Sequence, residues 1–335
     1  MTDRYLFAYF TSGSERHGES VHFARSRGDS LLDWETLGGG SPILTSTVGT
    51  TGVRDPFLIR AAGLDGERAQ FYMVATDLRT YGKPTDTAWT DALARGSRNL
   101  VVWESSNLVQ WSQPSLAEVA PPDAGNAWAP EVVFDPVTAS YLVFWASALH
   151  MDSAGEPTDD RSGTPSHSRM LISSTRDFQT FTPASVWVDP GWSVIDATVV
   201  WHEGWFWRFS KDERSPESTL PASKFILLER SRDIRSTTWE YVREGIGAGP
   251  SGLTHGEGPI AAYSSKHDRW FLFIDEFGLR RYIAFSTDNL ETGVWRQERS
   301  DGLPGGASHG SILKITEAEW SALSSCLDPS PPIVH

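Results

Sequence analysis

Gly52-Val53-Arg54-Asp55-Pro56-Phe57-Leu58-Ile59-Arg60 sets an acidic residue at the mouth of a short apolar run, between an arginine and a proline. The same design returns along the chain. Trp128-Ala129-Pro130-Glu131 leads into Val132-Val133-Phe134, and Val194-Ile195-Asp196 into Ala197-Thr198-Val199-Val200. His255-Gly256-Glu257 leads into Gly258-Pro259-Ile260, and Ser308-His309 into Gly310-Ser311-Ile312-Leu313. Each run has the length and residue types of a strand. A chain that repeats this five times brings five ionisable side chains, Asp55, Glu131, Asp196, Glu257 and His309, to a common place.

Two further features share the period. Apolar, aromatic runs follow the mouth strands at Phe71–Thr76, Tyr141–Ala146, Trp205–Ser210 and Trp270–Asp275, with Tyr5–Phe10 as the fifth. Each is followed by another strand-like run and then by a turn with Asp or Asn after Ser or Thr. An aromatic comes next: Trp34, Trp111, Phe181, Trp239 and Trp295. Four short antiparallel strands per unit, five times over, predict an all-β, five-bladed β-propeller. The fifth unit is split: its mouth strand His309–Ile315 lies near the C-terminus and its other strands at the N-terminus, so the two ends share a blade and close the ring. No long run has helical period. Thr316-Glu317-Ala318-Glu319 reads as a capping box opening a short helix, and the tail from Asp328 as irregular. No linker interrupts residues 1–335, which read as a single domain with a short tail from about 316.

In a propeller the first strand of each blade lines the axis. Its starting end shares a face with the connections between second and third strands. Those connections are long at Leu78–Arg98 and Leu149–Arg169, moderate at Lys211–Ser223 and short at Glu276–Leu279. Long loops on one side of the mouth predict a walled pocket, suited to attack on a chain end.

Composition narrows the ligand. The 335 residues are 39% hydrophobic and 12% aromatic, and the net charge of −14 argues against nucleic acid or an anionic membrane as partner. A neutral substrate fits better. The 15 tryptophans can pack between sheets or present flat faces to sugar rings. A single cysteine, Cys326, excludes an internal disulfide, and no Cys/His cluster has zinc spacing. There is no transmembrane segment, and Leu6–Phe10 is too short for a signal-peptide core, so a cytoplasmic location is expected. Carboxylates that share a cavity repel one another and raise at least one pKa. Their natural use is acid and base work on a glycosidic bond, one carboxyl protonated and another ionised.

At these positions the chain resembles glycoside hydrolase family 43, five-bladed propellers that act on arabinose-, xylose- and some galactose-containing glycans. The carriers are Arg54-Asp55-Pro56, Trp128-Ala129-Pro130-Glu131, Ile195-Asp196, Glu257-Gly258-Pro259 and His309-Gly310-Ser311, one per blade and in order. The resemblance implies an inverting hydrolase in which Asp55 is the general base, Glu257 the general acid, and Asp196 the residue that tunes and orients Glu257. His309 matches a histidine that in many relatives sits near a bound calcium or water cluster; no cofactor is required, and a structural Ca2+ near the axis is the metal to expect. Glu131 departs from the aspartate common after Trp-Ala-Pro and receives no catalytic role. Trp128 is a candidate floor for the sugar, and Arg54 and Arg281 are candidates for contacts to sugar hydroxyls.

Blander readings stand beside these. Asp55 before proline can cap a turn, Glu257 between glycines can be a loop carboxylate, His309 a satisfied structural histidine, and Trp128 part of the core. Asp196 among Val194, Ile195, Val199 and Val200 is harder to explain that way. Fructan-cleaving propellers also carry Arg-Asp-Pro, but their Glu-Cys pair is missing, since Gly258 follows Glu257. The expected activity is release of terminal α-L-arabinofuranosyl residues from an arabinose- or xylose-containing glycan. A β-xylosidase or exo-β-1,3-galactosidase is the alternative within the family, and a non-catalytic sugar-binding propeller the alternative outside it.

Overall fold

The aromatic second strands are continuous apolar runs because both of their faces are buried. In β5 (Phe71–Asp77) all seven residues are buried. Phe71 and Met73 point into one core with Leu6, Phe23 and Leu58, while Tyr72 and Val74 point into another with Val132, Tyr141 and Trp145. Each sheet is thus a wall between two cores, and alternation selects the core rather than inside or outside. The computed structural model describes residues 3–327, apart from residues 12, 65, 66, 68, 216–222, 250, 251, 277 and 280. The tail expected to be irregular from Asp328 lies outside the described residues.

Five four-stranded antiparallel sheets make up the ring. The first joins β20 (Ser308–Ile315) to β1 (Arg4–Phe10), β2 (His22–Ser26) and β3 (Trp34–Thr36). The second holds β4 (Val53–Arg60), β5, β6 (Asn99–Ser105) and β7 (Ser115–Glu118). The third holds β8 (Trp128–Asp135), β9 (Ser140–Ala148), β10 (Ser168–Thr175) and β11 (Ser185–Val188). The fourth runs from β12 (Val194–His202) through β13 (Trp205–Asp212) and β14 (Ile226–Ser231) to β15 (Glu240–Ile246). The fifth runs from β16 (Gly256–Ser264) through β17 (Arg269–Glu276) and β18 (Tyr282–Thr287) to β19 (Arg296–Gln297). The innermost strands β20, β4, β8, β12 and β16 touch in that order and then again β20, so the ring closes through the blade shared by both chain ends, as expected. Five cores fill the five gaps between neighbouring blades.

The recurring Asp/Asn turns have a local cause. The Asn107 and Asp177 side chains each accept two backbone N–H bonds from the residues that follow, and Ser105 and Thr175 accept two more. The following aromatic pins the turn rather than forming the outer strand. Trp111 Nε1 donates to Leu108 O at 3.0 Å, Trp34 Nε1 to Leu31 O at 2.9 Å and Trp239 Nε1 to Ser236 O at 2.8 Å. Of these aromatics only Trp34 lies within its outer strand; Trp111 and Phe181 make isolated bridges ahead of β7 and β11.

Two helices accompany the sheets. The Thr316–Glu319 capping box is present and opens α2 (Glu317–Ala322). The other, α1 (Thr85–Arg95), lies in the Leu78–Arg98 connection, which was read as loop. Its buried face is only Ala88, Ala92 and Ala94. Alanines give no hydrophobic stripe to read, although their helix propensity is the highest of any residue.

Ser311 ties the shared blade to its neighbour: its Oγ donates to Pro56 O at 3.0 Å and accepts from Leu58 N at 2.9 Å, all buried. Replacing Ser311 by alanine strands both backbone groups. The expected cost is about 2 kcal/mol, read as a melting temperature several degrees lower; an unchanged melting curve would remove this link from ring closure.

Candidate active site

Every innermost strand breaks its pairing register at the mouth. The slips fall between Arg54 and Phe57 in β4, Trp128 and Glu131 in β8, Ile195 and Thr198 in β12, and Glu257 and Ile260 in β16. In β20 the slip lies opposite Tyr9 and Phe10 and passes over His309. The first residue inside each of the four slips is left-handed: Asp55 at φ 52°, Ala129 at 50°, Asp196 at 55° and Gly258 at 51°. A bulge of this kind re-aims a side chain, and three non-glycine residues hold a strained backbone to do so. The equivalent positions are therefore Asp55, Ala129, Asp196, Gly258 and His309. Glu131 lies two residues deeper than its slot and Glu257 one residue before, a correction to the simple reading of five matching ionisable positions.

His309 stands among the carboxylates, its Nδ1 3.5 Å from Asp55 Oδ1 and 3.9 Å from Asp196 Oδ1. Asp55 Oδ2 accepts from Thr76 Oγ1 at 2.7 Å, and Thr76 Oγ1 in turn accepts from Ala129 N at 2.8 Å. Asp196 Oδ2 accepts from Gly258 N at 3.1 Å, and Asp275 Oδ2 accepts from His309 N at 3.2 Å. Lys211, buried at the end of β13, places Nζ 2.8 Å from Glu257 Oε2 and 2.8 Å from Glu213 Oε2.

These surroundings separate the carboxyls electrostatically. Burial would raise Asp55, but the His309 hydrogen bond and charge, with Arg54 and Thr76, hold it below the usual carboxylate range. Burial pushes Asp196 up to about 6 against His309 and Lys211, reinforced by Glu257 and Asp55. Burial takes Glu131 up to about 8, despite His309 and the hydrogen bonds from Thr198 and Val199. Burial would lower His309; Asp55, Asp196 and Glu131 outweigh it and raise the imidazole to about 9. At neutral pH the axis therefore holds an imidazolium, an ionised Asp55 and a protonated Glu131.

The structure brings together Asp55, Asp196, Glu257 and His309. Trp128 opens β8 at the same mouth. Arg54 is stacked, its guanidinium 4.6 Å from the Phe10 ring and 4.7 Å from Trp89, with Nη1 3.9 Å from Glu19 Oε1. Arg281 is exposed beyond β17 and donates from Nε to the buried Glu276 at 2.6 Å. The residues do not fit a directly ligated calcium: among the described residues no three His, Cys, Asp or Glu side chains could hold a metal ion. Lys211, Thr76 and Asp275 were missed. Their signal was the polar end of each aromatic strand, Thr76-Asp77, Lys211-Asp212 and Asp275-Glu276, which the pairing sets beside the mouth.

The comparisons with known proteins agree with this geometry. Residues 2–321 match the family-43-related model described as a probable glycosyl hydrolase domain. The chain belongs to the family-43-related glycosyl hydrolases. An α-L-arabinofuranosidase of Bifidobacterium longum subsp. longum is 27% identical over 91% of this chain, which spans 33% of that protein's length. Among solved structures, a Penicillium chrysogenum α-L-arabinanase complexed with arabinobiose has a TM-score of 0.53 at 16% identity, covering 92% of this chain and 79% of that one. A thermostable family-43 glycoside hydrolase has a TM-score of 0.50 at 18% identity, covering 78% and 76%. These likenesses share the propeller fold.

Glu131 and His309 both carry folded-state pKa values above their ordinary ones of 4.5 and 6.5. Their contribution to stability is complete below the ordinary values and is lost as pH rises through about 8 and about 9. The melting temperature is expected to fall between pH 6 and 9. Glu131→Gln, which mimics the neutral carboxyl, should leave it unchanged at about pH 4, below the ordinary carboxyl value, and raise it at pH 9 relative to the parent. Equal melting curves at pH 9 would show that Glu131 does not hold its proton.

Proposed function

We propose that the domain is an exo-acting, inverting glycosidase that releases terminal α-L-arabinofuranosyl residues. The observation that carries this reading is the gathering of Asp55, Asp196 and Glu257 in one mouth, with Asp55 held ionised by His309 and Asp196 bonded to the N–H that follows Glu257. An ionised carboxylate can take a proton from water while a second carboxyl across the mouth serves the leaving group. The arabinofuranosidase and arabinanase relatives support arabinose as the sugar.

Asp55 accepts a proton from a water molecule as its oxygen attacks the anomeric carbon. The bond to the leaving oxygen breaks with its electron pair, and Glu257 gives that oxygen a proton. Asp196, fixed by the N–H of Gly258, the residue after Glu257, lies beside Glu257 in space and orients it. Lys211 has a second carboxylate partner in Glu213, so its buried ammonium keeps a counter-charge when Glu257 carries the proton. Asp55 and Glu257 stand on β4 and β16, which are not neighbours in the ring, and an inverting pair needs that room for water.

Asp55→Asn should reduce turnover on the order of ten-thousand-fold with folding little changed. Near-normal turnover would remove Asp55 from the reaction. Proton NMR early in the reaction should show a product of inverted anomeric configuration; a retained product would require a nucleophile instead. Glu257→Gln should impair substrates with poor leaving groups most and partly spare activated aryl glycosides. A panel of aryl pentosides and galactosides decides the sugar, and no hydrolysis of any would favour a binding propeller.

A further inference from the structure

Trp89 is the one large hydrophobic side chain that α1 leaves exposed. It is 48% exposed, while the small Ala88 and Ala92 of the same helix are buried. An exposed indole forfeits much of the stabilisation its burial would bring. This one is also held rigidly. The Arg54 guanidinium lies between the Trp89 ring at 4.7 Å and the Phe10 ring at 4.6 Å, and Trp128 meets Trp89 edge-on at 6.2 Å and 89°.

The segment that carries Trp89 is fastened at both ends. Before the helix, the buried Glu19 carboxylate accepts from Thr80 N at 2.9 Å, Thr80 Oγ1 at 2.6 Å and Tyr81 N at 3.1 Å. After it, Arg161 Nη2 donates to Gly96 O at 2.7 Å and to Gly125 O at 2.9 Å, and His150 Nε2 bonds Ala94 O at 2.8 Å. Blades on either side therefore hold the helix in place. The Trp89 ring stands at the mouth, because Arg54, which braces it, directly precedes Asp55, and Trp128, which meets it edge-on, opens the adjoining inner strand.

We propose that the open face of Trp89 is a stacking platform for the second sugar ring of the substrate, the ring on the leaving-group side of the bond that is cut. This rests on the exo-acting reading, since removal of a terminal residue leaves every further ring on that side. A sugar ring suits the place. It is neutral, as a chain of net charge −14 requires of a ligand drawn to it, and its C–H face matches an aromatic plane. A single indole at the rim of a carboxylate-lined mouth offers a protein partner too little apolar area for a stable interface.

The test compares two substrates with similarly poor leaving groups, 1,5-arabinobiose, which has a second ring, and methyl α-L-arabinofuranoside, which has none. Trp89→Ala should lower kcat/KM on arabinobiose about tenfold, as loss of one aromatic contact does, and leave the methyl glycoside unchanged. Trp89→Phe should keep most of the arabinobiose activity. An equal loss on both substrates, or none on either, would overturn the platform. Should the parent cleave neither, the arabinosidase reading falls. Calorimetric titration of arabinobiose into the parent and Trp89→Ala proteins then decides the platform alone: weaker binding by the variant supports it, and no binding or equal binding overturns it.

Discussion

The His309 imidazolium, 3.5 Å from Asp55 and 3.9 Å from Asp196, is the interaction on which the rest of the mouth depends, because without it the ring would gather uncompensated carboxylates in a desolvated space. Charges at that separation act strongly once water is excluded. The same group that stabilises Asp55 as an anion is itself kept charged by Asp55 and Asp196. Neutralisation is completed by protonation, since burial keeps a proton on Glu131 and, with the charge of Glu257, raises Asp275 well above its ordinary value. The site thus sets ionised and neutral acids beside two buried cations, His309 and Lys211, a pattern that no uniform set of five carboxylates could hold.

These polar groups also fasten the blades to one another. Ser311 joins the first blade to the second, and Thr76 with Ala129 N joins the second to the third. Glu131 with Thr198 and Val199 joins the third to the fourth. Asp196 with Gly258 N joins the fourth to the fifth, and Asp275 with His309 N returns to the first. Between blades the cores are apolar and nondirectional, so they press the sheets together without fixing how far each slides along the axis. The hydrogen bonds at the mouth are directional and set that position. Catalytic geometry and ring closure therefore draw on the same residues.

The fold was legible because the period of the sequence is the period of the structure. Aromatic second strands, Asp/Asn turns and ionisable strand openings each recur five times, and their order admits few folds other than a ring. Asp55, Asp196, Glu257 and His309 could be found because strand openings converge on the axis. What escaped was set by side chains reaching across from a second strand. Lys211 reads as an ordinary charge ending an apolar run until its pairing with Ile195 sets it beside Asp196. The stacking of Arg54 between Phe10 and Trp89 was hidden because it involves residues far apart in the chain. Helix α1 was hidden by alanine, which forms helices without marking a face.

The bulged slots show how one repeated backbone device supports five different roles. At Asp55, Asp196 and His309 the slot presents a charged side chain to the axis. At Ala129 and Gly258 it presents a backbone N–H, donated to Thr76 Oγ1 and to Asp196 Oδ2. The occupants are coupled through space as well. A Cβ built on Gly258 would lie 2.7 Å from the His309 ring, and at φ 51° the position already favours glycine. His309 can occupy the axis only because the neighbouring slot has no side chain, and Asp196 is oriented only because that bare slot turns its N–H toward it. Glu257 then sits one residue before the slot, on a backbone whose direction is fixed by its successor. The placement of the proposed acid thus follows from the glycine after it, which in turn is required by the cation that holds the proposed base ionised.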